Sequence, residues 1–286
     1  MQRHHAISER PLSPRDYDVP VGWWGWNWEP PIPMSVTELL DAGNFDARTA
    51  ALSWMVLEGH GSLLIAAEQP HSGKTTTLTA FLDFLPASAR RIFVRGWAET
   101  FDFLRQTDPS RTLLLANELS SHLPVYLWGP KAVRVFRTLR DGYALGSTLH
   151  ADSAEEAVAQ LTTELGVDGD DLARVDLLAV MRLYGTTRGG AVRRLVSLHR
   201  TSGMVPLVEW DRASDSHRHD EDAELELLCL RLGGGWQALR DELDRRSEFL
   251  ASLASRRVRE IPAVRAALAA YRGEEASDLV RGDPVA

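Results

Sequence analysis

Short apolar runs alternate with helical patterns from residue 35 to about residue 150. The apolar runs are SLLIAA, RIFV, TLLLA and YALGSTL, and the helical patterns around them cover residues 46–58, 75–85, 99–106 and 130–140. Such alternation is typical of βαβ units, so we expect an α/β fold with a mostly parallel sheet flanked by helices. Ser35 and Glu38 have the spacing of a capping box, which predicts a short helix before residue 43.

Further strands and a small helical appendix are predicted beyond residue 170. LARVDLLAVMRLYG and AVRRLVSLHR indicate two strands joined at Gly189-Gly190, and VPLVEW indicates another. The polar stretch DRASDSHRHDEDAE is interpreted as a loop or linker, and a solvated loop explains its histidines better than a metal site does. Apolar residues then recur at helical spacing from Trp236 and again from Ile261, where Pro262 suits a first helical turn.

These patterns divide the chain into three predicted parts. Residues 1–34 form a Trp- and Pro-rich arm, residues 35–210 an α/β domain, and residues 211–286 a linker with a helical region whose tail frays. Exposing tryptophan is costly, so we expect the arm to pack on the body or on a neighbouring subunit. Its clustered tryptophans are Trp23, Trp24, Trp26 and Trp28.

Composition narrows the class of protein. The chain has 286 residues, a formal charge of −8 and 44% hydrophobic residues, which indicates an ordinary globular protein. Its one cysteine, Cys229, excludes an internal disulfide framework. The acidic balance argues against broad binding to nucleic acid. Because the sequence shows neither a signal peptide nor an apolar run of about 20 residues, we expect a cytoplasmic protein without direct membrane insertion.

The segment IAAEQPHSGKTTTLTAFL contains the strongest candidate for chemistry. Its β-like run leads through SGKT directly into a helical pattern, which is the setting of a phosphate-binding P-loop. The predicted nucleotide-binding residues are Ser72, Gly73, Lys74, Thr75 and Thr76. Backbone N–H groups would cradle the phosphates, Lys74 would reach the β- and γ-phosphates, and Thr75 would bind Mg²⁺. Glu68 departs from the consensus glycine, and its acidic side chain neither favours positive φ nor attracts phosphate.

Two candidate catalytic residues follow later strands. Glu118 ends TLLLANEL, and His150 directly follows YALGSTL. Ligands gather at the carboxyl ends of parallel strands, so we expect both near the P-loop. Glu118 would position and polarise the attacking water, and His150 would sense phosphate. The alternatives are an ordinary helix-start acid for Glu118 and a structural histidine for His150.

Together these segments resemble the successive boxes of the type II/type IV secretion ATPases. GKTTTLTAFLDFLP, LRQTDPSRTLLLANEL and GYALGSTLHADSAEEAVAQL match in order, and the resemblance runs from about residue 35 to 271. It implies a RecA-like P-loop NTPase that uses ATP and Mg²⁺. It also implies a homo-oligomer, possibly hexameric in the family's manner, and a membrane-platform partner that would hold the protein at the inner membrane. By position, Glu118 matches the Walker B glutamate, His150 the His box, and Arg105 an arginine that contacts nucleotide, from the domain face or the neighbouring subunit.

The sequence departs from this family in its acidic box. Arg95 and Gly96 replace the expected acidic pair, and only Glu99 keeps a carboxylate there. About seven residues, including PVYLWGP, are inserted between Glu118 and His150. These changes leave the phosphate grip intact and put the placement of Mg²⁺ and water in doubt.

Further departures leave the activity open. Asn117 replaces a glycine, Ser120 replaces an arginine, and we expect no counterpart of the family's large N-terminal domain. We expect an ATPase motor, in which hydrolysis moves the appendix and the arm against the core. The alternatives are a nucleotide-binding regulator or scaffold with little turnover, and a P-loop kinase, for which no basic acceptor-binding lid stands out.

Overall fold

The computed structural model of the protein describes residues 12–20, 23, 33–185 and 190–274. Within these ranges the chain forms one eight-stranded sheet in the order β2-β3-β4-β1-β5-β6-β7-β8. The strands are β1 (Leu63–Ala66), β2 (Arg90–Phe93), β3 (Thr112–Leu119), β4 (Ala144–Leu149), β5 (Leu177–Gly185), β6 (Ala191–Arg200), β7 (Val205–Asp211) and β8 (Ser216–His219).

The sheet has a parallel half and an antiparallel half. Strands β2, β3, β4, β1 and β5 pair in parallel, whereas β6, β7 and β8 extend the sheet by antiparallel pairing. The α/β prediction is confirmed, and the predicted β5–β6 pair forms. The parallel arrangement is limited to the five strands that long connections join, because a parallel return needs a crossover, whereas short connections join β5, β6, β7 and β8.

Helices cover both faces of the sheet. They are α1 (Val36–Asp41), α2 (Ala47–Glu58), α3 (Lys74–Phe81), α4 (Pro130–Thr138), α5 (Ala154–Ala159), α6 (Gly169–Leu172), α7 (Glu221–Leu232), α8 (Trp236–Ser255) and α9 (Ile261–Arg272). The Ser35–Glu38 capping box is confirmed, as is Pro262 in the first turn of α9. Each cap satisfies or removes an N–H group that has no partner inside its helix.

Side-chain alternation along β1 separates two cores. Leu63 and Ile65 pack on the face covered by α1, α2, α3, α7, α8 and α9, whereas Leu64 and Ala66 pack on the face covered by α4, α5 and α6. Because both faces are buried, the strand is apolar throughout and not alternately polar. Within the described residues, no helix has the length and apolar character needed to cross a bilayer.

Two predictions of local structure are wrong. Residues 99–106 contain a short 3₁₀ turn, Asp102–Arg105, in place of a helix. The Glu99 carboxylate accepts hydrogen bonds from the N–H groups of Arg95 and Phe101, and Phe101 has a φ of 63°. A side chain that captures backbone donors in this way competes with helix formation.

The polar segment after residue 211 is also ordered differently from the prediction. Strand β8 pairs with β7, and α7 begins at Glu221 behind the N-cap Asp220, so the loop or linker interpretation is wrong for these residues. The two histidines of β8 are held by protein groups. His217 Nε2 lies 2.9 Å from the Leu195 carbonyl oxygen, and His219 lies between two carboxylates.

His219 ties the last strand of the sheet to the helices beside it. Its Nε2 lies 2.8 Å from an Asp46 oxygen at the start of α2, and its Nδ1 lies 2.6 Å from a Glu224 oxygen in α7. Burial by itself lowers the pKa of His219, but the two carboxylates outweigh it and raise that pKa to about 9. Glu224 also pairs with Arg48 at 2.8 Å. The group is therefore a charged cluster that joins β8, α2 and α7.

Tyr17 and Trp23 of the N-terminal arm pack on the body, which is one of the two arrangements predicted for the arm. The Tyr17 hydroxyl donates to Glu99 over 2.7 Å, and the Trp23 indole donates to the Thr79 hydroxyl over 3.1 Å. Tyr17 and Trp23 are both buried, on opposite faces of the sheet. The remaining tryptophans of the cluster lie outside the described residues: Trp24, Trp26 and Trp28.

Candidate nucleotide-binding site

The predicted P-loop connects the end of β1 to the start of α3. Gly73, the N-cap of α3, has a φ of 95°, a left-handed conformation that favours glycine. A Cβ placed on Gly73 would lie 3.1 Å from Cδ of Arg193. No side chain among the described residues caps the helix, so its first N–H groups are oriented for an anion.

The departure at Glu68 does not distort the loop. Positive φ angles occur at His71 and Gly73 and not at Glu68, so the backbone requires no glycine there. The Glu68 side chain is exposed, and the backbone carbonyl oxygen of Glu68 lies 3.1 Å from Nδ1 of His150. The Gln69 side chain accepts the N–H of Leu183 over 2.9 Å, which fixes the loop to β5.

Lys74 lies buried at the centre of the loop. Its side chain is 7% exposed, and Nζ donates to the Ala67 carbonyl oxygen over 2.9 Å. Nζ also lies 3.4 Å from His150 Nδ1. Burial lowers the pKa of Lys74, and the carboxylates of Glu118 and Glu68 act in the opposite direction. A buried ammonium group that retains free donor positions is suited to binding phosphate.

The structure brings Glu118 and His150 to this loop. They lie at the ends of β3 and β4, which pair in parallel, and an Oε1 of Glu118 lies 3.1 Å from Nε2 of His150. The hydrogen bond with Glu118 raises the pKa of His150, while burial opposes it. The imidazole thus stands between the carboxylate of Glu118 and the ammonium of Lys74.

A bulge in β3 orients two neighbouring side chains into the same cleft. The register between β3 and β4 shifts between Ala116 and Leu119, so β3 has one extra residue at this point. Consecutive side chains of a regular strand point to opposite faces, and a bulge relieves that constraint. Asn117 and Glu118 accordingly both line the cleft.

The cleft itself has a volume of about 500 Å³. It is lined by Trp23, Met34, Leu39, Ala42, Asn44, residues 70–76, Asn117, Glu118, Tyr126, His150 and Arg193. Tyr126 comes from the inserted segment, Arg193 from β6 and Trp23 from the N-terminal arm. Sequence reasoning named none of these three as a site residue, because only long-range packing brings them to the loop. Arg193 Nε donates to the His71 carbonyl oxygen over 2.7 Å.

Two residues singled out in the sequence lie away from the cleft. Arg105 is exposed on its 3₁₀ turn and is not among the lining residues. Glu99 is 2% exposed, and its carboxylate accepts the hydroxyl of Tyr17 together with two backbone N–H groups. The remaining carboxylate of the acidic box is therefore committed to holding the N-terminal arm.

Thr75, the residue predicted to bind Mg²⁺, lines the cleft. Its side chain is partly exposed at the start of α3, next to the site expected for phosphates. The described residues contain no cluster of three or more His, Cys, Asp or Glu side chains that would hold a metal by themselves. Mg²⁺ commonly takes one or two protein oxygens and completes its shell with water and substrate phosphates. The lining residues fit an ion that arrives with a nucleotide.

Two archaeal proteins are similar to this chain in sequence, while no family model matches it. The uncharacterised protein MJ0900 of Methanocaldococcus jannaschii is 26% identical over 213 residues, which cover 65% of this chain and 38% of MJ0900. The uncharacterised protein MJ1287 of the same organism is 23% identical over 246 residues, which cover 76% of this chain and 90% of MJ1287. The chain thus spans well under half the length of MJ0900.

Among solved structures, the similar chains include two ATPases. The ATPase DotB of Yersinia pseudotuberculosis has a TM-score of 0.42 and 14% identity, over 75% of this chain and 56% of that chain. The VirB11 ATPase of the Brucella suis type IV secretion system has a TM-score of 0.40 and 18% identity, over 69% and 65% respectively. Overlap at this level carries no inference about activity, so any function must be argued from the residues of the cleft.

Proposed function

We propose that the protein binds ATP with Mg²⁺ in this cleft and hydrolyses it. One observation carries the proposal: Lys74, Glu118 and His150, from three separate segments, meet beside the uncapped start of α3. The alternatives, an ordinary helix-start acid for Glu118 and a structural histidine for His150, do not explain why both side chains lie beside a buried lysine at an anion site. The combination matches what phosphoryl transfer requires, namely a phosphate grip and a carboxylate beside it.

Each residue has a defined task in this mechanism. The N–H groups of α3 and the Lys74 ammonium bind the phosphates, with Lys74 exchanging its bond to the Ala67 carbonyl for phosphate oxygens. The Glu118 carboxylate orients the attacking water and accepts its proton, and His150 holds that carboxylate in place. The Thr75 hydroxyl would hold Mg²⁺, which supplies charge neutralisation to the phosphates when bound.

We further propose that the protein is a RecA-like motor of the secretion or pilus kind. In that role it would assemble into a ring of identical subunits and act on a membrane-platform protein from the cytoplasmic side. The ordered sequence boxes support this assignment. The exposed position of Arg105, outside its own subunit's cleft, supports a role at a neighbouring subunit's nucleotide, where an arginine offsets charge on the transferring phosphoryl group.

A second candidate is a nucleotide-binding regulator or scaffold with weak or no turnover. The position of Glu99 favours this second candidate, because the Glu99 carboxylate is buried against Tyr17 and does not line the cleft. Both candidates require nucleotide binding, and they differ in whether Glu118 activates water.

Nucleotide binding is tested by titrating the purified protein with a non-hydrolysable ATP analogue and Mg²⁺. We expect Lys74→Ala to weaken binding about tenfold or more, since it removes the charged donor of the loop. Arg111→Ala is the matched control because it removes one exposed positive charge at the opposite end of β3. Equal affinities for wild type and Lys74→Ala would refute the site.

Ring assembly is tested by size-exclusion chromatography with light scattering, with and without the analogue. We expect an oligomer that nucleotide stabilises. A monomer under every condition would refute the ring while leaving the nucleotide site in place.

A further inference from the structure

Residues 120–129, which contain most of the inserted residues and are called the inserted segment below, are bonded to the strand end that presents Glu118. The Leu127 N–H donates to the Glu118 carbonyl oxygen over 2.9 Å, and the Ser120 N–H donates to the Leu127 carbonyl oxygen over 3.2 Å. Leu119 and Leu127 form a β-bridge. The segment therefore leaves the end of β3 and returns to it, and its position is fixed relative to the carboxylate of Glu118.

The same segment occupies the space beside the residues that replace the acidic box. The Trp97 N–H donates to the Pro124 carbonyl oxygen over 2.9 Å. Gly96 has a φ of 55°, and a Cβ placed on it would lie 2.5 Å from that same oxygen. A side chain at position 96 would therefore displace the inserted segment.

Asn117 offers the cleft a donor that no described protein group takes up. Its side chain is 6% exposed and lines the cleft, and within the described part of the chain Nδ2 has no hydrogen-bond partner. Buried amide donors are nearly always paired, because a buried donor without a partner is unfavourable. Turned toward the cleft, this amide would gain its missing partner from a ligand acceptor.

Tyr126 supplies a second donor from the inserted segment. Its ring lines the cleft, and burial together with the charge of Glu118 raises the pKa of its hydroxyl to about 12. A phenol is protonated at neutral pH with or without this shift, so its hydroxyl is able to donate. Asn117 and Tyr126 thus present two neutral donors around Glu118, at the sheet end that faces the phosphate loop.

Building on the proposed function, we propose that Asn117 and Tyr126 hydrogen-bond the terminal phosphate and make the cleft selective for nucleoside triphosphates over diphosphates. The β-phosphate is served by the loop and the start of α3, whereas these two donors stand beside the carboxylate that would orient the attacking water. A diphosphate leaves both donors without an acceptor, and sites built around a hydrogen bond strongly reject ligands that lack it.

The test compares the affinity of ADP with that of a non-hydrolysable ATP analogue, both with Mg²⁺. Tyr126→Phe removes only the hydroxyl, and Asn117→Leu removes the amide at similar volume. We expect each to lower the ADP-to-analogue ratio of dissociation constants about five- to tenfold while changing ADP affinity less than about twofold. Tyr143→Phe is the matched control, because its hydroxyl pairs with Thr107 and does not line the cleft.

Gly96→Ala extends the test to the inserted segment without touching the cleft. It should shift Tyr126 and lower the ADP-to-analogue ratio of dissociation constants, while the affinity for ADP stays close to the wild-type value. If Asn117→Leu lowers the unfolding temperature by several degrees, the smaller Asn117→Ala replaces it. Equal losses for ADP and the analogue, or no change in either, would overturn this inference alone. A wild-type protein that binds neither nucleotide would overturn the proposed function and this inference with it.

Discussion

The charged cluster around His219 gives the fold a pH dependence that can be calculated from the structure. The pKa of His219 rises from 6.5 to about 9, which corresponds to about 3.4 kcal/mol at 1.36 kcal/mol per unit. The pKa of Asp46 falls from 3.8 to about 2, which corresponds to about 2.4 kcal/mol. Burial opposes the Asp46 shift, and hydrogen bonds from His219 and Thr49 produce it. The two pKa shifts largely describe one interaction from its two ends, and solvent reaches part of that interaction. We therefore expect the cluster to contribute about 2 kcal/mol to the free energy of unfolding.

The sign of the effect follows from which state binds the proton more tightly. The folded pKa of His219 lies above the unfolded value, so its contribution is fully present below about pH 6.5 and is lost as the pH rises through about 9. The folded pKa of Asp46 lies below its unfolded value, so its contribution is lost as the pH falls through about 2. The stabilisation thus persists between these limits.

Urea unfolding followed by circular dichroism measures this contribution. Wild type and His219→Gln are compared at about pH 6 and about pH 10, so that titrations common to both proteins cancel. We expect the wild type to exceed the variant in free energy of unfolding by about 2 kcal/mol more at the lower pH than at the higher one. A difference between the two proteins that is the same at both pH values would refute the charged-histidine account.

Two further changes have defined outcomes. Gly73→Ala should weaken binding of the ATP analogue about tenfold, as measured by isothermal titration calorimetry. Alanine disfavours a φ of 95°, and its Cβ would press on Arg193. An unchanged dissociation constant would contradict the loop conformation. Arg246→Ala should lower the free energy of unfolding by about 2–3 kcal/mol, because the guanidinium stacks 4.5 Å from the Trp54 ring centre and bonds Glu58 at 2.9 Å. A loss below about 0.5 kcal/mol in urea unfolding would contradict this role.

The parts of the site that the sequence predicted are those defined by local pattern and by sheet topology. An apolar run, SGKT and a helical pattern specify the phosphate loop within a short stretch. Glu118 and His150 end strands that are consecutive along the chain, and parallel neighbours bring such ends together. The roles of these residues in catalysis remain predictions.

Other parts of the fold and of the site were not predicted, and most of them depend on contacts that no local pattern encodes. Tyr126 reaches the cleft because the inserted segment returns to the end of β3. Strand β8 is short, polar and at the sheet edge, so hydrophobic alternation gave no signal for it. Helix α7 did carry a usable signal, since Asp220 as N-cap is followed by Glu221 and Asp222, and acidic first turns are typical of helix starts.

Release of phosphate from Mg-ATP by wild type and Glu118→Gln tests the central claim most directly. We predict turnover by the wild type and at least about a hundredfold less by Glu118→Gln, because the amide cannot take the proton of the attacking water. The affinity of Glu118→Gln for the ATP analogue should remain within about twofold of the wild-type value. Equally slow release of phosphate by both proteins, with nucleotide bound equally well, would contradict the assignment of Glu118 and leave a nucleotide-binding regulator or scaffold in its place. Equally fast release would contradict the assignment of Glu118 alone.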